Sequence, residues 1–147
     1  MIHFTQKTEA VQEAATTLTL PWSQRNKSRQ RVRLDNGEEA GLFLERGIIL
    51  RGGDCLTAED GTIVRIVAAT ETVSTVQCQD PLQLARICYH LGNRHVDLEI
   101  SKDRVRYPHD HVLDAMLQGM GLTATVEQAA FEPETGAYGQ GHGHHHG

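Results

Sequence analysis

Aromatic residues make up only 5% of this chain of 147 residues, and cysteine is limited to Cys55, Cys78 and Cys88. With few rings to fill space, the interior has to be built mainly from Leu, Ile, Val and Ala. No cysteine stands in CxxC spacing, and an odd number argues against a disulfide framework. Cys78 falls in an alternating run and Cys88 in a helical apolar pattern, where a reduced cysteine behaves as a small hydrophobe. Soft thiolate ligation is the lesser alternative. No apolar run approaches the ~20 residues that a membrane helix needs. The opening MIHFTQKTEA lacks the basic start and apolar stretch of a secretory signal, so a cytoplasmic location with no membrane partner is expected. A basic excess is missing as well. The net charge of -5, histidines neutral, speaks against a general nucleic-acid binder. One local exception, RNKSRQRVR from Arg25 to Arg33, reads either as a solvated strand edge charged against aggregation or as a docking surface for an acidic partner. Catalytic signatures are also lacking: no GxSxG elbow, no HExxH, and no Gly-rich loop ending in GK[ST]. Enzyme chemistry is therefore not expected.

What is present divides by period. The first half is a series of short apolar runs, Leu18 to Leu20, Val32 to Leu34, Gly41 to Leu44, Ile48 to Leu50 and Ile63 to Ala68. Asn36-Gly37 and Asp60-Gly61 supply the positive φ that tight hairpins need. With no helical stretch between them, these runs predict a small all-β sandwich or barrel over residues 1–70. In the second half, Val73 to Cys78 alternates as a strand, and Asp80-Pro81 is a helix start of N-cap followed by proline. Gly92 offers the stop. Val96 to Ile100 and Val105 to Tyr107 read as strands, Asp110 to Gly119 as a second helix, and Thr123 to Val126 as a last strand. This β-α-β-β-α-β order predicts a ferredoxin-like domain over residues 71–131 and an α+β protein overall. From about Glu132 the pattern is lost, and residues 132–147 carry too little apolar surface to offset ordering entropy; a disordered, His-rich tail is expected.

The nine histidines are unevenly spread. His142, His144, His145 and His146 lie in the tail, His90, His95, His109 and His111 in the second half, and His3 alone near the start. Neutral imidazole suits nickel, copper and zinc, and a tract of several offers donors on a flexible leash. The tail run GHGHHHG is broken by glycines, unlike an engineered tag, and is read as a native metal-binding tract. His109-Asp110-His111 is ambiguous. On extended backbone both rings share a face and could reach one ion, whereas at a helix start Asp110 becomes the N-cap and the rings diverge. Taken by themselves, His95 and His90 read as structural residues, and His3 as a strand-surface residue.

Leu50-Arg51-Gly52-Gly53-Asp54, Cys88-Tyr89-His90-Leu91-Gly92-Asn93-Arg94-His95 and Asp110-His111-Val112-Leu113-Asp114-Ala115-Met116-Leu117 together resemble signatures of the urease accessory protein UreE family. So does Phe131-Glu132-Pro133-Glu134-Thr135-Gly136-Ala137-Tyr138 followed by histidines. The likeness runs in the same order over essentially the whole chain. It implies an N-terminal β domain for peptide or protein partners and a C-terminal ferredoxin-like metal domain. It further implies a homodimer that brings Ni(II) to the apo-urease activation complex together with an accessory GTPase. His95 is then implied as the interfacial metal ligand, His109 and His111 as additional sites, and the tail histidines as a low-specificity reservoir that could also take Cu(II) or Zn(II). The tail is shorter than in many relatives, which argues against a large store. A carrier of this kind must hold the ion yet release it, so a few exposed imidazoles suit it better than a closed thiolate cage. Metal and proton then compete for the same lone pairs. The competing expectations are a general histidine-based buffer for nickel, copper or zinc without a dedicated client, a metalloenzyme using His109 and His111, and a peptide-binding module with incidental histidines.

Overall fold

In the computed structural model, which describes residues 1–9 and 13–136, the chain divides into two units, Met1–Ala69 and Thr70–Thr135. The first holds strands β1 (Ile2–Thr8) and β2 (Thr16–Leu20), a one-turn helix α1 (Trp22–Arg25), then β3 (Arg29–Arg33), β4 (Glu39–Phe43), β5 (Cys55–Ala58) and β6 (Ile63–Ala68). They form one six-stranded sheet in the order β2-β6-β5-β1-β4-β3. The β1–β4 and β2–β6 pairs are parallel, and the others antiparallel. The expected hairpin turns close β3 onto β4 and β5 onto β6, with Gly37 at φ 95° and Gly61 at φ 89°. Neither position suits a residue with a Cβ. The alternating apolar positions Leu18, Leu20, Val32, Ala40, Leu42, Leu56, Val64 and Ile66 meet Phe4 in a single buried cluster.

Two expectations for this unit need correction. A helical turn, α1, does interrupt the strands, its Gln24 and Arg25 amides donating to the Pro21 carbonyl at 3.0 and 3.2 Å. One turn is too short to show a period. Ile48 to Leu50 is not a strand either. Leu50 is fully buried, but its N–H donates to the Arg25 carbonyl at 2.9 Å, so the segment is held by α1 rather than by the sheet. The Arg25 side chain completes that junction from a fully buried position, donating from Nε to the Leu20 carbonyl (3.0 Å) and from Nη1 to the Leu50 carbonyl (3.2 Å). Next to it, Asp54 accepts from the Arg51 N–H (2.8 Å), closing the Gly52-Gly53 turn.

The second unit contains β7 (Thr70–Gln77), α2 (Pro81–Gly92), β8 (Glu99–Ile100), β9 (Arg104–Pro108), α3 (His111–Gly119) and β10 (Ala124–Ala130). The sheet order is β10-β7-β9-β8, antiparallel throughout. Asp80 caps α2 by accepting from the Gln83 N–H at 2.8 Å, with Pro81 next, where its missing N–H costs nothing. Ile87 and Leu91 of α2 and Leu113 and Leu117 of α3 pack on Val76, Val105 and Tyr107.

Here tertiary pairing shifts several boundaries. β10 runs to Ala130, four residues past the expected Val126, because it follows β7 back as far as Thr70. β8 is only Glu99–Ile100, since Leu98 enters the core and its carbonyl accepts from the Glu134 N–H (2.7 Å). The expected disorder from Glu132 is corrected by the same contact. Phe131 and Pro133 are buried, and the Glu132 N–H donates to Glu99 Oε1 at 2.8 Å, so the chain stays anchored through this stretch. Two apolar anchors and backbone bonds offset the ordering entropy that composition alone suggested would win. His142, His144, His145 and His146 lie outside the described residues. Among those that are described, no helix is long and apolar enough to cross a membrane.

The buried Arg25 generates a prediction. Arg25→Met keeps the apolar stem but leaves the Leu20 and Leu50 carbonyls short of donors, and should destabilise the first unit by about 2–4 kcal/mol. Trp22 is the only tryptophan of the chain and lies in this unit, so its fluorescence during urea denaturation reports the loss directly.

Candidate metal centre

Helix α2 ends at Gly92, but Gly92 does not provide the left-handed cap. The chain winds on through Arg94 N–H to Leu91 O and His95 N–H to Gly92 O, each at 3.0 Å. His95 then adopts φ 57°, and it is the one non-glycine residue with positive φ among the described residues. Such backbone costs an L-residue about 1–2 kcal/mol, and it is held where the surroundings require it, often at functional positions. The His95 side chain is exposed.

Helix α3 resolves the ambiguity of the His109-Asp110-His111 motif. Asp110 is the N-cap, accepting from the Val112 and Leu113 amides at 2.8 and 3.2 Å. His109 therefore belongs to the chain leaving β9, its N–H bonded to the Thr72 carbonyl (3.1 Å), and His111 is the first residue of the helix. The arrangement is the helix-start alternative.

The His109 ring is positioned by Ser74 and Asp114, and through Asp114 by Tyr107. Its Nδ1 lies 3.1 Å from Ser74 Oγ and 3.3 Å from Asp114 Oδ2. The other oxygen of Asp114 accepts from the Tyr107 hydroxyl at 2.5 Å. Burial, and next the hydrogen bond to Asp114, push the Tyr107 phenol far above its ordinary range, so it remains a donor. A carboxylate facing Nδ1 favours the proton on that nitrogen and leaves the Nε2 lone pair open, the pattern by which carboxylates orient metal-binding histidines. No local signal could have announced this set. Ser74, Tyr107 and Asp114 come from β7, β9 and α3 and meet only in the folded unit.

Strand register brings the two histidine-bearing loops to one end of the second unit. Pro108, the last residue of β9, pairs with Val73 near the start of β7, while Glu99 of β8 pairs with Arg106. Residues preceding Glu99 thus run toward the end of the sheet where β9 finishes and α3 begins. His95 lies on one of these connections and His109 on the other, with His111 opening α3 directly after it. His90, expected to be structural from its spacing, is exposed in the last turn of α2, edge-on to Tyr89 at 5.3 Å. His3 lies on the sheet surface as expected, Nδ1 3.9 Å from Glu59. The cysteines are free; Cys55 and Cys78 are buried and Cys88 partly so, and burial pushes the Cys78 and Cys88 thiols up, away from thiolate. Within one copy of the chain, no three His, Cys, Asp or Glu side chains among the described residues stand close enough together to hold a metal ion.

Comparison with known proteins puts this geometry in a family. Residues 2–69 match the N-terminal domain, and residues 71–147 the C-terminal domain, of the UreE urease accessory protein family. Among curated relatives, the urease accessory protein UreE of Citrobacter koseri is 55% identical over 100% of this chain and 98% of its own length. That of Alkalilimnicola ehrlichii is 58% identical over 95% of this chain and 85% of its own. A Pseudomonas putida UreE is 59% identical over 87% and 79%. An accessory-protein class with separate N- and C-terminal domains is thus defined over nearly the whole length. The chain belongs to the urease accessory protein UreE family.

In Asp114→Ala, the carboxylate that favours the Nδ1–H tautomer of His109 is gone. Ring nitrogen NMR above the titration range of histidine should then show His109 shifting to mostly Nε2–H, the form an unassisted imidazole prefers. An unchanged Nδ1–H tautomer would mean that Ser74 alone sets the ring.

Proposed function

We propose that the chain is a nickel-binding metallochaperone that delivers Ni(II) to apo-urease during urease maturation, and that it performs no catalysis of its own. The observation that carries this reading is His95, an exposed imidazole held on left-handed backbone at the end of α2, in a chain of the UreE family. A donor held there is presented outward rather than folded into the core.

The active species is a homodimer. One copy offers too few grouped donors among its described residues, so a second His95 related by a two-fold axis supplies the matching ligand. His109, with Nδ1 turned to Asp114, and the exposed His111 form an auxiliary site at the same end of the unit. His142, His144, His145 and His146 serve as the low-specificity reservoir. The second unit is a ferredoxin-like domain for metal binding and dimerisation, a reading supported by its element and sheet order. The first unit binds protein partners, and the complex it enters includes apo-urease and the accessory GTPase in the cytoplasm.

The physical logic is that of a reversible donor set. Imidazole is a borderline nitrogen ligand that takes Ni(II), and also Cu(II) or Zn(II), without the retention of a thiolate cage. Each ligand must be neutral to bind, so acidification releases the cargo. Transfer to a client requires only that its ligands outcompete a few exposed rings.

His95→Ala removes two donors from a shared ion, and urease activation in cells with limiting nickel should fall by about tenfold or more. His109→Ala and His111→Ala should weaken activation without abolishing it. Normal activation by His95→Ala together with failure of His111→Ala would move the transfer site to the start of α3. Deleting Gly141 to Gly147 should lower the number of nickel ions bound in calorimetric titration and leave the tightest site in place. A buffer without a client would pass the calorimetric test, yet its loss would leave urease activation untouched.

A further inference from the structure

The charge of the first unit is distributed unevenly. Residues 25–33 carry Arg25, Lys27, Arg29, Arg31 and Arg33 with no acidic residue, in a protein of net charge -5. Arg25 is spent inside the fold. The others lie outside, and the alternation of β3 puts Arg29, Arg31 and Arg33 on the face opposite the buried Val32. Register sets Phe43, Gly41 and Glu39 of β4 beside them, and His3 of β1 beyond Gly41. Arg33 is committed to Glu39 at 3.3 Å and to the Gly37 carbonyl at 2.8 Å. Arg29 and Arg31 have no carboxylate partner among the described residues.

Between these cations lies an apolar platform. Phe43 is 41% exposed, its ring 4.7 Å from that of His3 and 5.8 Å from the Arg29 guanidinium carbon. Gly41 is what permits the arrangement, since a Cβ there would stand 2.6 Å from Phe43 Cε2 and force the ring away. At the Arg29 end, a cleft of about 560 Å³ is lined in part by Lys27, Arg29 and Arg46 together with Ser28 and one carboxylate, Glu45. Protection of a strand edge accounts for the arginines. It does not account for an exposed phenylalanine laid along the sheet over a glycine, because an edge defended by charge has no use for an apolar surface.

Resting on the reading that the first unit binds protein partners, we propose that this face is a docking surface for an extended acidic segment of such a partner, with carboxylates on Arg29 and Arg31 and an apolar side chain on Phe43. Alternate residues of a strand stand about 6.6–6.8 Å apart, so arginines at i and i+2 match carboxylates at i and i+2 of an extended peptide. Nucleic acid fits less well. A neighbouring concavity is lined by Glu38, Glu39, Glu59 and Asp60, and a continuous phosphate chain crossing the sheet would meet them. A peptide can confine its charge to the arginines.

Fluorescence anisotropy on the full chain tests this. The probes are a short labelled peptide of alternating Glu and Leu with one central Phe, the same peptide with Lys for Glu, and a short uridine RNA. The Glu peptide should bind, the Lys peptide should not, and the affinity should fall as salt rises. Arg29→Glu with Arg31→Glu should weaken binding by about tenfold or more, and Phe43→Ala should weaken it with little change in salt dependence. Trp22 fluorescence unfolding checks that each variant is folded, and Arg31→Glu alone is read if the double variant is not. Nickel titration should be unchanged in all of them, which separates this surface from the histidine sites. Equal binding of the Glu and Lys peptides, or full affinity in the folded arginine variants, would overturn the proposal. Tighter binding of the RNA than of the Glu peptide would overturn it too and assign the face to nucleic acid.

Discussion

Strand β7 is paired along both of its edges, to β10 from Thr70 to Val76 and to β9 from Val73 to Gln77, and the rest of the second unit takes its register from it. Its residues do more than fill the centre of a sheet. Val76 carries the core against Ile87 and Leu91, while Ser74 is hydrogen-bonded to Nδ1 of the His109 ring. Were β7 to slip by one residue, its faces would exchange and Ser74 would leave the histidine. The position of a candidate ligand is therefore tied to the pairing that stabilises the domain.

The same economy governs the loops. Asp110 satisfies two orphan amides of α3 and in doing so separates His109 from His111. Asp114, one turn on, spends one oxygen on the Tyr107 hydroxyl and the other on the His109 ring. Glu99 receives Arg104 and Arg106 at 3.4 and 3.5 Å and the Glu132 amide at 2.8 Å, joining the sheet to the chain beyond β10. In the first unit Arg25 has the corresponding part, ordering a loop that lacks regular structure by bonding its carbonyls. Arg25 is buried and Glu99 and Asp114 are half-buried, so each bond they make also avoids the larger cost of a group left unpaired.

Much of this was legible along the chain. Asn36-Gly37, Asp60-Gly61 and Asp80-Pro81 act through their own φ angles and side-chain bonds to near neighbours, and such signals survive in sequence. Apolar alternation in the first half and its change to helical spacing after Asp80 placed most elements, because burial on one face imposes a period. Family motifs pointed to His95 when its local surroundings gave a structural reading. By itself, then, the sequence determined the two-part organisation, the turns and caps, the supply of imidazoles and the family. The tertiary structure alone decided the length of β10, the anchoring of residues 131–135, the left-handed backbone of His95 and the Ser74–Tyr107–Asp114 set around His109. Apart from the His95 backbone, these depend on groups far apart in the chain, Thr70 with Ala130, Leu98 with Glu134, Ser74 with His109, and a contact between distant residues leaves no period or dipeptide by which to read it in advance.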